Sequence, residues 1–518
     1  MWRYCAFSIK TKYPVLTRPI SNPHNPFSAP KFWSPGTDLE CAQHNDGKLF
    51  NVMHLYLRQS YAEGLVTMQR WDQALQRWFE KLFLLGVFDK EVAYRSLGAS
   101  DINTKSAQAL ALRAARESIV LLQNNATKSG APLLPIAKAS KLALIGPLVN
   151  ASHQMQSDYT GSNQLVSSHT PFLAISRVAQ QHGGAATSSI GCDVNSADTS
   201  MIAAAVTACR AADACVLFLG MDNSIEGEGN DRAEIALPGQ QNRLASAVLA
   251  VGKPTAVVLL GGAALAIADI KTNAPAIVNA FYPGEMGGDA IADVLYGDYS
   301  PSAKLTFTMY DEGISKRSME DMSLRGAPGS GNGGITYQHY TNAFGAPLWP
   351  FGHGSSFSTF SHHCSGSGAR RTVMTADAAS EERAEIYVCT VTNTGTVVSD
   401  ATVLAWLSSD ATDAPLTELF AFGRVTALVP GKTAPVNLTL PPRVLALVDT
   451  SGTSSVRPGE YELRVGGDAL GGGCIDDKGV DVCARMSLAL RGAEQVLFSM
   501  AEVERRYALG AHTGAVEV

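Results

Sequence analysis

Residues 214–232 read ACVLFLGMDNSIEGEGNDR, an apolar run followed directly by an acidic loop. The run from Ala214 to Gly220 has the length and the Val and Leu content of a buried strand. The loop from Met221 to Arg232 is rich in Gly and in carboxylates. Ligands of open α/β sheets bind beyond the carboxyl ends of the strands, so this loop is predicted to reach a ligand.

Similar apolar runs flank this stretch on both sides. They are rich in Val, Ile and Leu, end near Gly or Pro, and lie at 142–146, 256–261 and 277–281. Helical patterns separate the runs at 198–210, 240–251 and 288–296. Strands that are apolar throughout and alternate with helices indicate a mainly parallel sheet covered on both faces.

Two helices are predicted upstream of this region. Between residues 67 and 85, apolar residues such as Trp71, Leu75 and Trp78 recur at spacings of three and four, and Gly86 ends the pattern. Residues 104–122 predict a second helix that connects two domains. Only about sixty residues, rich in Pro and Asn, precede the first helix, which is too few for a complete (β/α) barrel.

The pattern changes again downstream. Residues 308–370 read as loops, with Gly- and Ser-rich stretches at 326–334 and 361–368, and a domain boundary is predicted near 370. Segments of alternating polarity then follow at 384–393, 402–408, 434–440 and 461–465. They predict an antiparallel β-sandwich of about seven strands.

Composition excludes several classes of protein. The 518 residues are 46% apolar, which is enough for two or three globular domains. A formal charge of -6 and a pI near 6.0, with no basic patch, argue against nucleic acid and anionic membranes as partners. No apolar stretch is long enough to span a bilayer, and the first residues are too polar for a signal peptide.

The sequons fit a secreted protein, and the cysteines argue against a zinc or redox site. The sequons at Asn125, Asn150 and Asn437 are candidate glycosylation sites, although three matches could also arise by chance. The nine cysteines show no paired spacing typical of zinc or redox sites. Cys474 and Cys483 flank a Gly- and Asp-rich loop. Either they form a disulfide that closes this loop, or both are free thiols.

The acidic loop fits one kind of chemistry best. Nucleotide-binding and zinc-protease motifs are absent from the sequence. Hydrolysis of a glycoside needs two carboxyl groups, and Glu226 or Glu228 has the position to serve as the proton donor. They do not serve as both, because acids two residues apart do not easily flank a sugar ring from opposite faces. The alternative is an acidic loop that is only solvated.

Long segments resemble the family 3 glycoside hydrolases. LFLGMDNSIEGEGNDRAEIALPGQQ and AFYPGEMGGDAIADVLYGDYSPSAKLTFTMY resemble the family's α/β sandwich domain. VTNTGTVVSDATVLAWLS and GEYELRVGG resemble its fibronectin type III-like appendage, and GTDLEC at 36–41 resembles a strand and loop near the end of its barrel. The resemblance runs in order from about residue 36 to 500. The short acidic loop is similar to that of the β-xylosidase and α-L-arabinofuranosidase branch.

The resemblance implies roles for individual residues. It places the general acid/base on Glu226, with Glu228 as the competing alignment. The family's nucleophile is an aspartate on a late barrel strand, and no such segment occurs in this sequence; Asp38, in GTDLEC, is expected to be structural. Asp158 and Tyr159 either border the sugar site or shape their loop. No metal and no organic cofactor are implied.

The fold class expected is therefore α/β plus all-β. Five regions are expected, namely a barrel remnant (1–100), a linker helix and loop (101–130), an α/β sandwich domain (131–325), an interdomain linker (326–370) and a fibronectin type III-like domain (371–510). The function expected is exo-acting, retaining hydrolysis of β-xylosides by a secreted enzyme, with this chain truncated and impaired because the nucleophile is absent. The alternatives are a β-glucosidase of the same family and a non-catalytic protein that binds a carbohydrate or a partner.

Overall fold

The computed structural model describes residues 43–45, 48–50, 58, 60–64, 66–160, 165–326, 329, 331–476 and 478–500. The chain divides into two compact units, and the second begins at Lys105. Asp38 and the rest of the GTDLEC segment lie outside the described residues.

The first unit contains a short hairpin and one long helix. The hairpin pairs β1 (Gln43–Asn45) with β2 (Lys48–Phe50), and the helix is α1 (Met68–Leu84). Thr67 caps α1 by accepting a hydrogen bond from the backbone N–H of Arg70 at 3.2 Å, and Gly86 follows with a φ of +69°. The predicted helix is confirmed. The described residues before Lys105 contain no closed barrel.

The second unit begins with a six-stranded sheet. Its strands are β3 (Val120–Asn124), β4 (Lys141–Ile145), β5 (Ala185–Ser189), β6 (Ala214–Gly220), β7 (Thr255–Leu260) and β8 (Ala276–Phe281). The strand order is β3-β8-β7-β6-β4-β5, and only β3 runs antiparallel to its neighbour. The mainly parallel sheet predicted from the apolar runs is therefore confirmed.

Helices cover both faces of this sheet. They are α2 (Lys105–Ser118), α3 (Pro171–Gln181), α4 (Ile202–Ala211), α5 (Gln241–Leu249), α6 (Ala268–Asn273) and α7 (Gly287–Tyr296). Successive residues of β6 enter different cores, since Val216 and Phe218 pack on one face while Leu217 and Leu219 pack on the other. This double burial explains why the strand is apolar throughout.

Two predictions about this region need correction. The helix predicted at 104–122 ends at Ser118, and residues from Val120 form the edge strand β3 instead, because Val120, Leu121 and Leu122 are buried against the sheet. Helix α3 and strand β5 were not predicted from the sequence. Strand β5 reads AATSS and lies at the exposed edge of the sheet, so it carries no apolar signal.

The remaining strands form a β-sandwich that is antiparallel as predicted except for one parallel pair, β10 with β18, and that has more strands than the seven expected. Its strands are β9 (Phe360–Cys364), β10 (Arg370–Met374), β11 (Glu385–Asn393), β12 (Ser399–Ser409), β13 (Glu418–Leu428), β14 (Thr433–Leu440), β15 (Ala446–Val448), β16 (Ser454–Val456), β17 (Gly459–Val465), β18 (Ala484–Arg491) and β19 (Gln495–Phe498). A five-stranded sheet has the order β10-β18-β17-β12-β13, and a three-stranded sheet has the order β14-β11-β9. A smaller three-stranded sheet joins β15, β16 and β19. Three one-turn helices, α8 (Thr336–His339), α9 (Thr375–Ala378) and α10 (Pro442–Leu445), complete the structure.

The sandwich begins earlier in the chain than predicted. Strand β9 lies in the stretch expected to be a Ser- and Gly-rich loop, and it pairs antiparallel with β11. Cys364 on β9 forms a disulfide with Cys389 on β11, which lies directly opposite. A second disulfide joins Cys474 and Cys483, which decides between the two alternatives for these cysteines, and a third, not predicted, joins Cys209 and Cys215.

Candidate functional site

The acidic loop lies at the carboxyl edge of the six-stranded sheet. It follows β6. On one side of β6 the next strand of the sheet is β7, and β8 lies beyond β7. Because these three strands are parallel, the segments after them emerge at the same edge. A side chain at Gly220, the last residue of β6, would place Cβ 1.7 Å from the carbonyl oxygen of Leu260 on β7, so this position requires glycine.

Short hydrogen-bonded turns build the loop. The carboxylate of Asp222 accepts from the backbone and the hydroxyl of Ser224 at 3.0 and 2.6 Å. The Asp222 carbonyl accepts from the backbone N–H of Glu226 at 3.2 Å. A second turn closes when the N–H of Asn230 donates to the carbonyl of Gly227 at 3.0 Å. The two glutamates therefore sit on successive turns.

Glu226 is fixed to the segments that follow β7 and β8. Its Oε1 atom accepts from the backbone N–H of Gly262 and from the hydroxyl of Tyr282, both at 2.6 Å. Its Oε2 atom lies 3.6 Å from Nε of Arg232, and the Glu226 side chain is only 17% exposed. Burial and the bond to Glu226 raise the pKa of Tyr282, so its hydroxyl stays protonated and donates.

Glycine at 262 makes this contact possible. A Cβ atom there would lie 3.3 Å from Oε1 of Glu226 and 3.0 Å from the Tyr282 ring. Arg232 also donates to the carbonyl of Ala264 at 3.3 Å, so it holds the acidic loop to the segment after β7. Neither Tyr282 nor Gly262 was singled out from the sequence as a site residue, since only the sheet topology brings them to Glu226.

Glu228 has a different environment. It is exposed, and its carboxylate accepts a short hydrogen bond from the hydroxyl of Tyr159. Its backbone N–H donates to Oδ2 of Asp158 at 2.9 Å. Asn223 adds a third connection by donating to the carbonyl of Ser157 at 2.8 Å. The structure thus brings Asp158 and Tyr159 to the acidic loop, next to Glu228 and not Glu226.

The segment that carries Asp158 and Tyr159 has an unusual backbone. Ser157 and Tyr159 have φ values of +64° and +52°, which residues other than glycine rarely adopt. Oδ1 of Asp158 accepts from the N–H of Tyr159 at 3.0 Å, while its Oδ2 holds Glu228. One carboxylate therefore fixes both the strained turn and the acidic loop.

The other residues predicted to have roles are at the surface or bonded elsewhere. Asn125, Asn150 and Asn437, the three sequon asparagines, are exposed. Cys474, Asp481 and Cys483 lie close enough together to resemble a metal site, but the disulfide uses both sulfur atoms. No helix within the described ranges is both long enough and apolar enough to cross a membrane.

Family models match two parts of the chain. Residues 119–357 match the glycosyl hydrolase family 3 C-terminal domain, and residues 401–469 match a fibronectin type III-like domain. The first match contains the whole acidic loop and the segments that follow β7 and β8. The α/β sandwich and the fibronectin type III-like sandwich expected from the sequence are confirmed.

Relatives match a larger share of the chain than these two family models do. A probable exo-1,4-beta-xylosidase of Aspergillus fumigatus is 35% identical over 448 residues, which is 83% of this chain and 54% of the relative. The solved structure of a GH3 exo-beta-xylosidase in complex with a xylobiose aziridine probe has a TM-score of 0.80 at 27% identity, over 92% of this chain and 59% of that one. A β-glucosidase from Erythrobacter marinus has a TM-score of 0.68 at 27% identity, over 85% and 57%.

This chain spans about half the length of the curated relatives that it matches. Two sets of observations indicate the same family for this chain. The first is the ordered match to two domains, and the second is the position of the acidic loop at the carboxyl edge of the α/β sheet. The chain belongs to glycoside hydrolase family 3, of which it carries the C-terminal domain followed by a fibronectin type III-like domain.

Proposed function

We propose that this protein takes part in exo-acting, retaining hydrolysis of β-xylosides, and so in the breakdown of xylan and xylo-oligosaccharides. The acidic loop at the carboxyl edge of the sheet is the observation that carries the proposal, because it presents a carboxylate at the place where such sheets bind ligands. The names of a curated relative and a solved structure support xylosides as the substrate class.

Glu228 is the proton donor that the geometry favours. The sequence resemblance prefers Glu226, but that carboxylate is mostly buried and accepts hydrogen bonds within its own domain. A general acid must come within hydrogen-bond reach of the leaving-group oxygen. Glu228 is exposed and held by Tyr159 and Asp158, so it can meet a glycosidic oxygen. Glu226 then acts as a positioning residue that fixes the loop.

Retaining hydrolysis also needs a nucleophile. The second carboxyl group lies about 5–5.5 Å from the donor in retaining enzymes, and it attacks the sugar to form a covalent intermediate. We assign this aspartate, in the whole protein, to the barrel domain that the resemblance implies. The proposed regions are those expected from the sequence, except that the α/β sandwich domain takes in β3 and the fibronectin type III-like domain begins at β9. This chain supplies the acidic loop and its supports.

A secreted, glycosylated protein is also part of the proposal. Three disulfides join described cysteines, and such bonds persist in oxidising compartments. The three sequon asparagines are exposed, as glycosylation requires.

The first experiment measures hydrolysis of 4-nitrophenyl β-xyloside, β-glucoside and α-L-arabinofuranoside by the whole protein, with the barrel domain that supplies the nucleophile, and by its Glu228→Gln and Glu226→Gln variants. We expect the xyloside to be cleaved fastest and Glu228→Gln to lower kcat by about 100-fold to 10,000-fold, the range for loss of a general acid. A faster glucoside would favour the β-glucosidase alternative. Binding of xylobiose without turnover of any glycoside would favour the non-catalytic alternative.

A further inference from the structure

A groove crosses the outer face of the five-stranded sheet in the C-terminal sandwich. Its volume is about 480 Å³, within the range of small-molecule sites. Strands β12, β17 and β18 form its floor, and the turn at 469–471 and the residues Leu416 and Thr417 form its sides. It shares no residue with the acidic loop.

The floor of the groove carries an ordered row of polar side chains. The strand register places Ser408 opposite Glu462, and Glu462 opposite Ser487. Residues directly opposite in paired strands project from the same face, so the three side chains lie side by side. Within the described part of the chain, none of the three makes a side-chain hydrogen bond. The row offers two hydroxyls and one carboxylate to a ligand.

A guanidinium group lies beside this row. Arg485 on β18 lines the groove two residues from Ser487 and is 54% exposed. Its Nε atom donates to Oδ2 of Asp481 at 2.9 Å, which orients the side chain. Its two terminal nitrogens make no further hydrogen bond among the described residues, so they remain as donors. Glu462 lines the groove together with Arg464 and Arg485, and the carboxylates of Asp468 and Asp481 lie near these two guanidinium groups, so the groove has no strong field for a polyanion or a polycation.

The wall formed by residues 469–471 is held rigidly. Arg464 donates to the carbonyl oxygens of Gly466 and Asp468 at 2.8 and 2.7 Å. Oδ1 of Asp468 accepts from the N–H groups of Leu470 and Gly472 at 3.1 and 2.8 Å. The disulfide between Cys474 and Cys483 closes the loop behind this turn. A wall fixed before binding lowers the entropy cost of binding.

Two leucines give the groove apolar edges. Leu470 on the rigid turn is 64% exposed, and Leu416 on the other side is 53% exposed. Both line the groove together with the polar row. A ligand that fits must therefore present hydroxyl groups toward the floor and C–H groups toward the sides. A pyranose ring has this arrangement, with hydroxyls at its edge and C–H groups on its faces.

We propose that this groove binds a neutral, unbranched glycan chain, away from the acidic loop. The carboxylate of Glu462 accepts from two neighbouring sugar hydroxyls, and the terminal nitrogens of Arg485 donate to sugar oxygens. Charged groups form the stronger hydrogen bonds to such partners. The identity of the sugar rests on the proposed function, which makes the occupant a chain of β-1,4-linked xylose. The groove thereby holds the polymer on the same protein as the acidic loop.

The test is isothermal titration of the full chain, in the Glu228→Gln background to suppress turnover, with xylohexaose, cellohexaose and oligogalacturonate. We expect xylohexaose to bind, and Glu462→Gln to weaken that binding roughly ten-fold, the effect of losing a charged hydrogen bond. Ser487→Tyr, which fills the groove, is expected to abolish binding. Glu460→Gln is the matched control, since Glu460 lies two residues away on the same strand but outside the groove.

The outcomes separate this proposal from the proposed function. If cellohexaose binds and Ser487→Tyr abolishes that binding, the groove is a glycan site, but its ligand is not a chain of xylose. Xylohexaose binding that is unchanged in both groove variants, or no glycan binding at all, would overturn the proposal. Tighter binding of oligogalacturonate than of xylohexaose would contradict the proposal that the ligand is neutral. Glu462→Gln keeps the size of the side chain, so its effect does not depend on how Ser487→Tyr folds.

Discussion

The hydroxyl of Tyr282, directly after β8, donates to Oε1 of Glu226 in the loop after β6 at 2.6 Å. Strand β7 lies between these two strands, and Gly262, two residues after the end of β7, donates to the same oxygen. One carboxylate atom therefore joins the ends of three parallel strands. The acidic loop is fixed to the rigid part of the domain and not only to its own turns.

Removing this hydroxyl should loosen the loop. In Tyr282→Phe, the Glu226 carboxylate loses one of its donors, and hydrogen bonds to charged groups contribute about 1.5–3 kcal/mol. We expect a loss of this order in the free energy of unfolding, measured by urea titration. Tyr159→Phe is the matched control, since Tyr159 is 68% exposed and should change stability by less than about 0.5 kcal/mol. Equal losses of unfolding free energy in the two variants would mean that the Tyr282 hydroxyl stabilises the protein no more than the exposed Tyr159 hydroxyl does.

The two glutamates should respond differently to the leaving group of the substrate. A proton donor matters for a poor leaving group such as 4-methoxyphenol and matters little for 2,4-dinitrophenol, which leaves without protonation. In the whole protein, Glu228→Gln should therefore lower kcat/KM, which reports the step in which the aryl group leaves, far more for the first aryl xyloside than for the second. Because Glu226 is proposed to position the loop, Glu226→Gln should lower kcat/KM for both substrates by a similar factor. If Glu226→Gln showed the dependence on the leaving group and Glu228→Gln did not, Glu226 would be the proton donor.

The fold of the α/β region was predictable because burial on both faces makes each strand apolar. Val216, Leu217 and Phe218 are all fully buried, so no polar residue interrupts the run. The edge strand β5 and the strand β9 were missed for the opposite reason. Ala185–Ser189 is small and partly exposed, while Phe360–Cys364 contains Ser and two His residues next to a Gly-rich turn.

The candidate site was predictable only in part. The loop with Glu226 and Glu228 follows a clear strand, so its position could be deduced from the sequence. The partners of Glu226 come from segments 36 and 56 residues away, and only the strand order brings them together. Likewise, the bond between Asp158 and the N–H of Glu228 spans 70 residues. No local pattern in the sequence encodes such contacts.

The proposed secretion predicts that the protein carries N-linked glycans. We expect expression through a eukaryotic secretory pathway to add glycans at Asn125, Asn150 and Asn437, because all three are exposed. Treatment with an amidase that removes N-glycans should lower the mass measured by mass spectrometry, and single Asn→Gln variants should assign each site. Asn393, which is fully buried and lies outside any sequon, is the residue that should remain unmodified. A mass equal to that of the bare polypeptide would contradict the proposed secretion.

The helix α1 should make the chain prone to self-association. Phe83, Leu84 and Leu85 at its end are 64%, 79% and 63% exposed, and Phe83 packs against the exposed Phe88 with ring centroids 4.7 Å apart. Contiguous apolar surface of this kind promotes association. Phe83→Ser with Leu84→Lys should lower both the fluorescence of a bound apolar dye and the apparent mass in light scattering. Met319→Lys is the control, since Met319 is 90% exposed but lies in a loop. A monodisperse wild-type chain that binds no dye would contradict the prediction.

Acid should destabilise the sandwich through His362 on β9. Burial is the main cause that lowers the pKa of His362 from 6.5 to about 4; the hydrogen bond to Val482 opposes this shift, and the nearby charge of Lys304 adds to it. Its Nδ1 lies 3.2 Å from the carbonyl oxygen of Val482, an acceptor, so the neutral ring carries its proton on Nδ1. Between pH 6.5 and about 4 the unfolded chain binds a proton at this residue that the folded chain does not. Stability from this group is therefore complete above pH 6.5 and lost as the pH falls toward 4.

The expected size follows from the shift. Each pKa unit corresponds to about 1.4 kcal/mol, so His362 accounts for at most about 3 kcal/mol of lost stability between those two pH values. Carboxylates also titrate in this range, and the difference between the wild type and His362→Gln isolates the histidine, because glutamine keeps an N–H donor but does not titrate. Urea unfolding at pH 7, 5.5 and 4.5 should show a shallower decline for His362→Gln. The exposed His182 is the control, and parallel declines in wild type, His182→Gln and His362→Gln would mean that His362 titrates normally in the folded protein.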